Sequence, residues 1–336
     1  MSDSPLPRVV VLSTGGTIAG RGDSTMSLSE YKAGSLKGEE LVEAVPELMQ
    51  FARISVEQVA NIGSSNMTIA VWRQLAHRIN ALFAGDAGIA GIVITHGTST
   101  IEETAYFLNL TVRHERPVVL VGAQRPATAI SADGPLNLVS AVRTALSPDS
   151  RGRGVLVVLN DEINAARDVT KSNTYRAETF RSGELGFLGY VDQDKVAYYR
   201  SPDKRHTVKS EFDLNAMPAF AAVEIVYSSV ESNALLIIEA LQRSGVRGIV
   251  FAATGAGSLS NIERDAVKRS LAESRGTVFV RSTRVANGRV LARPDFDQFG
   301  IVAADNLSPQ KSRILLMLAL TVTTDVAAIR RMFSEY

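Results

Sequence analysis

The sequence predicts an α/β protein. A larger N-terminal domain is built on a parallel sheet and ends in a hairpin, and a smaller C-terminal α/β domain follows. Two observations carry this. Short runs of β-branched and aliphatic residues alternate with helix-like segments, the order that lays helices over both faces of a parallel sheet. The alternation stops over residues 200–219, which hold Pro202 and Pro218 among several charges, and then resumes.

In order, the strands of the first domain are expected at 8–13, 54–60, 90–95, 117–121 and 155–160, with helices at 38–50, 68–84, 101–112 and 135–147. The run Val9 to Leu12 reads as a strand buried on both faces. Asn66, Met67 and Thr68 mark a helix start, since short polar side chains cap free N–H groups. Residues 190–199, YVDQDKVAYY, read as a hairpin closing the domain. The aperiodic stretch 200–219 reads as a linker between domains 1–199 and 220–336. Beyond it, strands are expected at 221–227, 247–253 and 277–281, and helices at 232–244, 261–274, 308–322 and 324–334, making a separate three-layer unit.

Composition excludes several functions. A net charge of +1 announces no polyanion, so nucleic acid is not an expected partner. The absence of cysteine removes disulfides, thiolate metal sites and a cysteine nucleophile. No apolar run is long enough to span a bilayer, so no membrane partner is expected. The N-terminus, MSDSPLPRVVVLSTGG, lacks a basic n-region and a cleavage site, which predicts a cytoplasmic protein if residue 1 is the natural start.

The chain is organised around TGGTIAG, 14–20, at the end of the first strand. Gly15 and Gly16 permit a sharp exit. The stretch fits neither a dinucleotide fingerprint nor a P-loop, and taken alone it reads as a tight turn before it reads as a nucleophile. Three more hydroxyl-rich segments alter the balance: GSSN at 63–66, THGTST at 95–100 and VTKSNT at 169–174. Three of the four should follow strands at one sheet edge, where α/β folds collect their chemistry. Hydroxyls with a lysine and no cysteine point to acyl transfer by an activated hydroxyl. His96, a lone histidine beside a glycine, reads as structural. Lys171 is either a solvated surface lysine or one that exchanges a proton with a neighbouring hydroxyl.

The chain resembles the bacterial-type L-asparaginase/glutaminase family. The resemblance rests on TGGTIAG, NIGSSNM (61–67), ITHGTST (94–100), EETAYFLNLT (102–111), GAQRP (122–126), SADGPLNL (131–138) and DVTKSNT (168–174). It continues through RSTRV (281–285) and SPQKSRILLMLALT (308–321). It implies that Thr17 is the primary nucleophile and that Tyr31, on the next loop, positions or deprotonates it. Thr98 and Lys171 match the family's second threonine and its lysine, and Ser64 matches the serine that binds a substrate carboxylate. It further implies amide hydrolysis through a covalent acyl-enzyme without metal or cofactor. The expected assembly is a homotetramer, a dimer of dimers with sites at the dimer interface. Phenol and ammonium groups hold their protons at neutral pH, so either must be shifted to serve as base. Backbone N–H groups near Gly16 or Gly97 are candidate oxyanion donors.

Departures from the family pattern cluster on the groups that read a substrate ammonium. Ser99 stands where the family has Asp, and Ser65 where it has an amide or acid. Ser258 of GAGS (255–258) stands where it has Asn. The segment 289–297, RVLARPDFD, lacks the family's glutamate and leaves Asp295 as the nearest substitute, besides Asp297. A site that loses such contacts discriminates against the group they held. The expected substrate is a simple carboxamide, a diacid half-amide, or a cyclic amide or imide, without a free α-amino group. The alternatives are L-asparaginase proper, with Asp295 and water filling the gap, and a catalytically silent small-molecule-binding homologue. The related amidotransferase subunit that acts on charged tRNA is disfavoured, because it carries an added N-terminal domain. Without a carboxylate at 99, Lys171 should also release its proton more readily.

Overall fold

The computed structural model describes residues 6–273 and 276–336. The first five residues of the N-terminal reading, and Ser274 at the end of the helix expected over 261–274, lie outside them. The chain forms two compact units divided between Ser210 and Glu211, inside the stretch read as a linker.

Among the described residues the larger unit holds ten strands: β1 (Arg8–Gly15), β2 (Arg53–Ile62), β3 (Ile89–Thr95), β4 (Val118–Val121), β5 (Val155–Leu159), β6 (Glu162–Ala165), β7 (Thr170–Lys171), β8 (Phe180–Arg181), β9 (Gly189–Val191) and β10 (Val196–Tyr198). Its α-helices are α1 (Gly38–Glu43), α2 (Ile69–Gly85), α3 (Ile101–Thr111) and α4 (Gly134–Leu146). Eight strands form one sheet in the order β10-β9-β6-β5-β4-β3-β1-β2. From β2 through β5 the pairing is parallel, and β6, β9 and β10 extend it antiparallel.

The expected hairpin is present as β9 and β10. The central strands are buried on both sides, which is why they read as unbroken apolar runs. Val9, Val11, Val93, Val119, Val121, Leu156 and Val158 share one core with Leu41 and Val42 of α1 and with Leu138, Ala141, Val142 and Ala145 of α4. On the other face Trp72 of α2 stacks on Phe107 of α3.

Two differences from the expected elements have clear causes. The helix expected over 38–50 ends at Glu43, and Pro46–Gln50 form a separate 3-10 turn. Pro46 has no N–H, and it forces Val45 out of the helical region (φ −129°, ψ 71°). The β5–β6 hairpin was not expected. Asn160 and Asp161 both take positive φ (52° and 62°), the two-residue turn whose twist suits a hairpin.

The smaller unit has a parallel sheet in the order β11 (Val223–Tyr227), β12 (Gly248–Ala253), β13 (Val278–Thr283) and β14 (Val302–Ala303). Its helices are α5 (Ala234–Arg243), α6 (Asn261–Ala272), the short α7 (Pro294–Asp297), α8 (Pro309–Val322) and α9 (Val326–Glu335). Ile249, Phe251 and Phe279 pack with α5 and α6 on one face. On the other face Gly248 lies against Leu316 and Leu320 of α8, where a Cβ would come within 2.7 and 2.8 Å of them. This is the expected three-layer arrangement. The two-residue β14 and the one-turn α7 are too short to leave a period in the sequence.

Candidate active site

Three hydroxyl-bearing loops leave the carboxyl ends of neighbouring parallel strands β1, β2 and β3, so the topology gathers them at one edge. Thr14 Oγ1 donates to the Thr95 carbonyl (2.8 Å) and Thr95 Oγ1 to Ser13 Oγ (3.1 Å), pinning the ends of β1 and β3 together. Gly15 and Gly16 then turn with φ of +95° and +86°. At Gly16 a side chain has no room, because a Cβ would lie 2.3 Å from the backbone nitrogen of Gly97. The loops carrying Thr17 and Thr98 therefore touch backbone to backbone one residue before each threonine.

Thr17 opens a one-turn 3-10 segment and is buried. Its Oγ1 lies 2.7 Å from the phenolic oxygen of Tyr31. The Tyr31 loop is held by an Arg21–Lys32 bridge and by Gly20, where a Cβ would come 2.8 Å from the Tyr31 ring. Thr98 is also buried, and its Oγ1 accepts a 2.8 Å hydrogen bond from Lys171 Nζ. Lys171 belongs to β7, a two-residue strand paired with β8. Partial burial holds its ammonium below the ordinary lysine value. Among the described residues it forms no ion pair within 4 Å.

Ser64 sits in the turn after β2. Its Oγ accepts from the Ser99 backbone N–H (3.1 Å), and its carbonyl accepts from Thr100 Oγ1 (2.8 Å). The side chains of Ser65 and Ser99 are exposed. His96 is fully buried, and burial holds its imidazole neutral down to about 4. The N–H of Gly16 is committed to the Ile62 carbonyl at 2.9 Å and so is no oxyanion donor.

Ser258 and Asp295 lie in the smaller unit. Ser258 closes a tight loop on Thr254, donating its N–H to the Thr254 carbonyl (2.8 Å). Asp295 is bridged by Arg264 (3.1 Å) and Arg293 (3.0 Å), so its charge is already balanced. The fully buried Arg281 joins the two places, donating to the Gly257 carbonyl (2.8 Å) and stacking over Phe296. That arginine cluster was not picked out in the sequence. Its members are scattered over some thirty residues without a motif. Among the described residues no group of three or more His, Asp or Glu is placed to hold a metal ion.

The parallel sheet gathers Thr17, Ser64 and Thr98 at its carboxyl edge, the place where α/β enzymes hold their sites, and comparison with known proteins gives the family. The asparaginase N-terminal family model matches residues 8–204, and the glutaminase/asparaginase C-terminal domain model matches 222–333. L-asparaginase 2 of Bacillus subtilis is 46% identical over 331 residues, 98% of this chain and 87% of that protein. A probable periplasmic L-asparaginase of Haemophilus influenzae is 47% identical, covering 98% of this chain and 93% of its own. The crystal structure of a probable cytoplasmic L-asparaginase from Campylobacter jejuni superposes with a TM-score of 0.95 at 44% identity, covering 98% of this chain and all of that one. The chain belongs to the asparaginase family of amidohydrolases.

Proposed function

We propose that this amidohydrolase cleaves a carboxamide whose acyl part carries no free α-amino group, through an acyl-enzyme on Thr17. The carrying observation is the surroundings of Lys171. Its ammonium meets the Thr98 hydroxyl and among the described residues forms no ion pair, Ser99 next to Thr98 bonds through its N–H to Ser64, and positions 64, 65 and 99 supply only serines. These three positions offer no carboxylate to a substrate ammonium. Asp295 does not make good the loss, because two arginines already hold it.

In the chemistry we assign, Thr17 Oγ1 attacks the amide carbon as it gives its proton to the Tyr31 oxygen and the Tyr31 hydroxyl proton moves on to the amide nitrogen. The carbon–nitrogen bond breaks, and the amine leaves with that proton. The acyl group is then an ester of Thr17. Thr98, with Lys171 in its neutral form, draws a proton from water, which attacks the ester and frees the carboxylate and the Thr17 hydroxyl. Backbone N–H groups of Thr17 and Thr98 stabilise the oxyanion. Ser64 orients a substrate carboxylate, which favours a diacid half-amide among the candidates.

The contacts Thr17–Tyr31 and Thr98–Lys171 are both of hydrogen-bonding length, which argues against a silent binding homologue. L-asparagine is the second reading, favoured by the names of the relatives. We further propose a homotetramer in the cytoplasm. The Campylobacter jejuni protein is named as cytoplasmic and the Haemophilus influenzae one as periplasmic. No helix among the described residues is long and apolar enough to cross a membrane.

The test is a screen of linear amides, half-amides, lactams and imides, with asparagine included. Thr17→Ala should lower turnover of the best substrate by about 10³-fold or more. Activity that survives this change removes the mechanism.

A further inference from the structure

The Thr98 loop is held from behind by side chains that do not touch the reacting groups. His96 Nδ1 lies 2.7 Å from the carbonyl of Gly97, and its Nε2 lies 2.9 Å from Thr104 Oγ1. Thr104 Oγ1 in turn accepts from the indole N–H of Trp72 at 2.7 Å. Thr104 and His96 are fully buried and Trp72 nearly so. The chemistry of the groups fixes the direction of every bond. A carbonyl only accepts, so Nδ1 carries the imidazole proton. A neutral imidazole then leaves Nε2 bare, and the Thr104 hydroxyl must donate to it. An indole only donates, and it fills a remaining lone pair of Thr104.

The terminus of the chain is well placed to matter. Gly97 immediately precedes Thr98. A Cβ on Gly97 would come within 2.7 Å of Ser64 Oγ and 3.1 Å of Gly16 Cα, so this residue is wedged between the Thr17 loop and the Ser64 turn. Its position is therefore shared by three loops of the site.

We infer that Trp72, Thr104 and His96 form a one-way buried hydrogen-bond chain that fixes the Gly97 carbonyl and, through it, the register of the Thr98 hydroxyl against Lys171. His96 is thus a positioning residue. The catalytic half of this statement rests on the role given to Thr98 above, whereas the tautomer does not. Displacing a reacting group slightly costs turnover more than binding, because orientation is lost while substrate contacts remain.

Nitrogen-15 spectra of the imidazoles test the direction of the chain. The chain has only four histidines, so His96 can be assigned by single substitution. At neutral pH it should be the neutral Nδ1–H tautomer, and an Nε2–H tautomer or an imidazolium overturns the inference. Kinetics on the amide turned over fastest test the consequence. Thr104→Val should lower kcat about ten-fold and Trp72→Phe about three-fold, with KM held within about two-fold. Thr104→Ser, which keeps the hydroxyl, should restore wild-type kcat. Wild-type kcat in folded Thr104→Val, or in Trp72→Phe should Thr104→Val not fold, overturns the positioning role. Thr98→Ala separates the two ideas. If it remains fully active, the assignment of Thr98 fails. If it is inactive while the Trp72 and Thr104 variants are not, the positioning alone fails.

Discussion

Lys171 is where the account is most exposed at the scale of a single residue. Burial lowers its proton affinity, and Ser99 offers no carboxylate to raise it again. A lysine that works as a base is active when neutral, so the rate should rise with pH along a limb lying below the ordinary lysine range. Ser99→Asp places a negative charge nearby, favours the ammonium, and should move that limb to higher pH. A limb that stays put in the variant would show that Lys171 is not the titrating group.

His96 makes a separate prediction about stability. Its imidazole is held near 4 by burial when folded, against an ordinary value of 6.5. The unfolded chain then binds the extra proton first as the solution is acidified. The stabilising contribution is fully present above about 6.5 and is lost as pH falls toward about 4. Urea unfolding of wild type and His96→Gln between about pH 7.5 and 4.5 reads this directly. The wild type should lose stability more steeply, and parallel slopes would contradict the assignment.

Among elements, the junction between the β1 and β3 loops governs the site. Gly16 has a positive φ of 86°, and its backbone lies against that of Gly97. Gly16→Ala should destabilise the protein by about 1–3 kcal/mol through overpacking, seen as a lower urea midpoint with unchanged slope, and should reduce activity as well. A variant as stable as wild type would mean that the two loops can part at no cost.

This scale also shows what a linear reading can reach. Thr17, Thr98 and Lys171 were legible as candidates because each sits inside a contiguous hydroxyl-rich run, with glycines beside the two threonines. The parallel strands were legible because burial on both faces leaves unbroken apolar runs. Trp72 and Thr104 were not legible, since their bond joins α2 to α3 across 32 positions. The β5–β6 hairpin escaped because Asn160-Asp161 reaches positive φ without the glycine that signals such a turn. Asp295 was picked out as the nearest carboxylate in the segment where the family has its glutamate. Its partners Arg264 and Arg293, which neutralise it, come together only in the fold.

For the molecule as a whole, both units are α/β and both match the family, so its architecture does not distinguish one amide from another. Substrate choice falls to a few side chains, and in the reading proposed above the serines at 65 and 99 withdraw contacts that hold an amino acid's ammonium. The most direct measurement is the ratio of kcat/KM for a four-carbon diacid half-amide to that for L-asparagine, in wild type and in Ser99→Asp. The wild type should prefer the half-amide by about 10²-fold or more, and Ser99→Asp should move the ratio toward asparagine. A wild type that prefers L-asparagine, with Ser99→Asp leaving the ratio unchanged, would contradict the account.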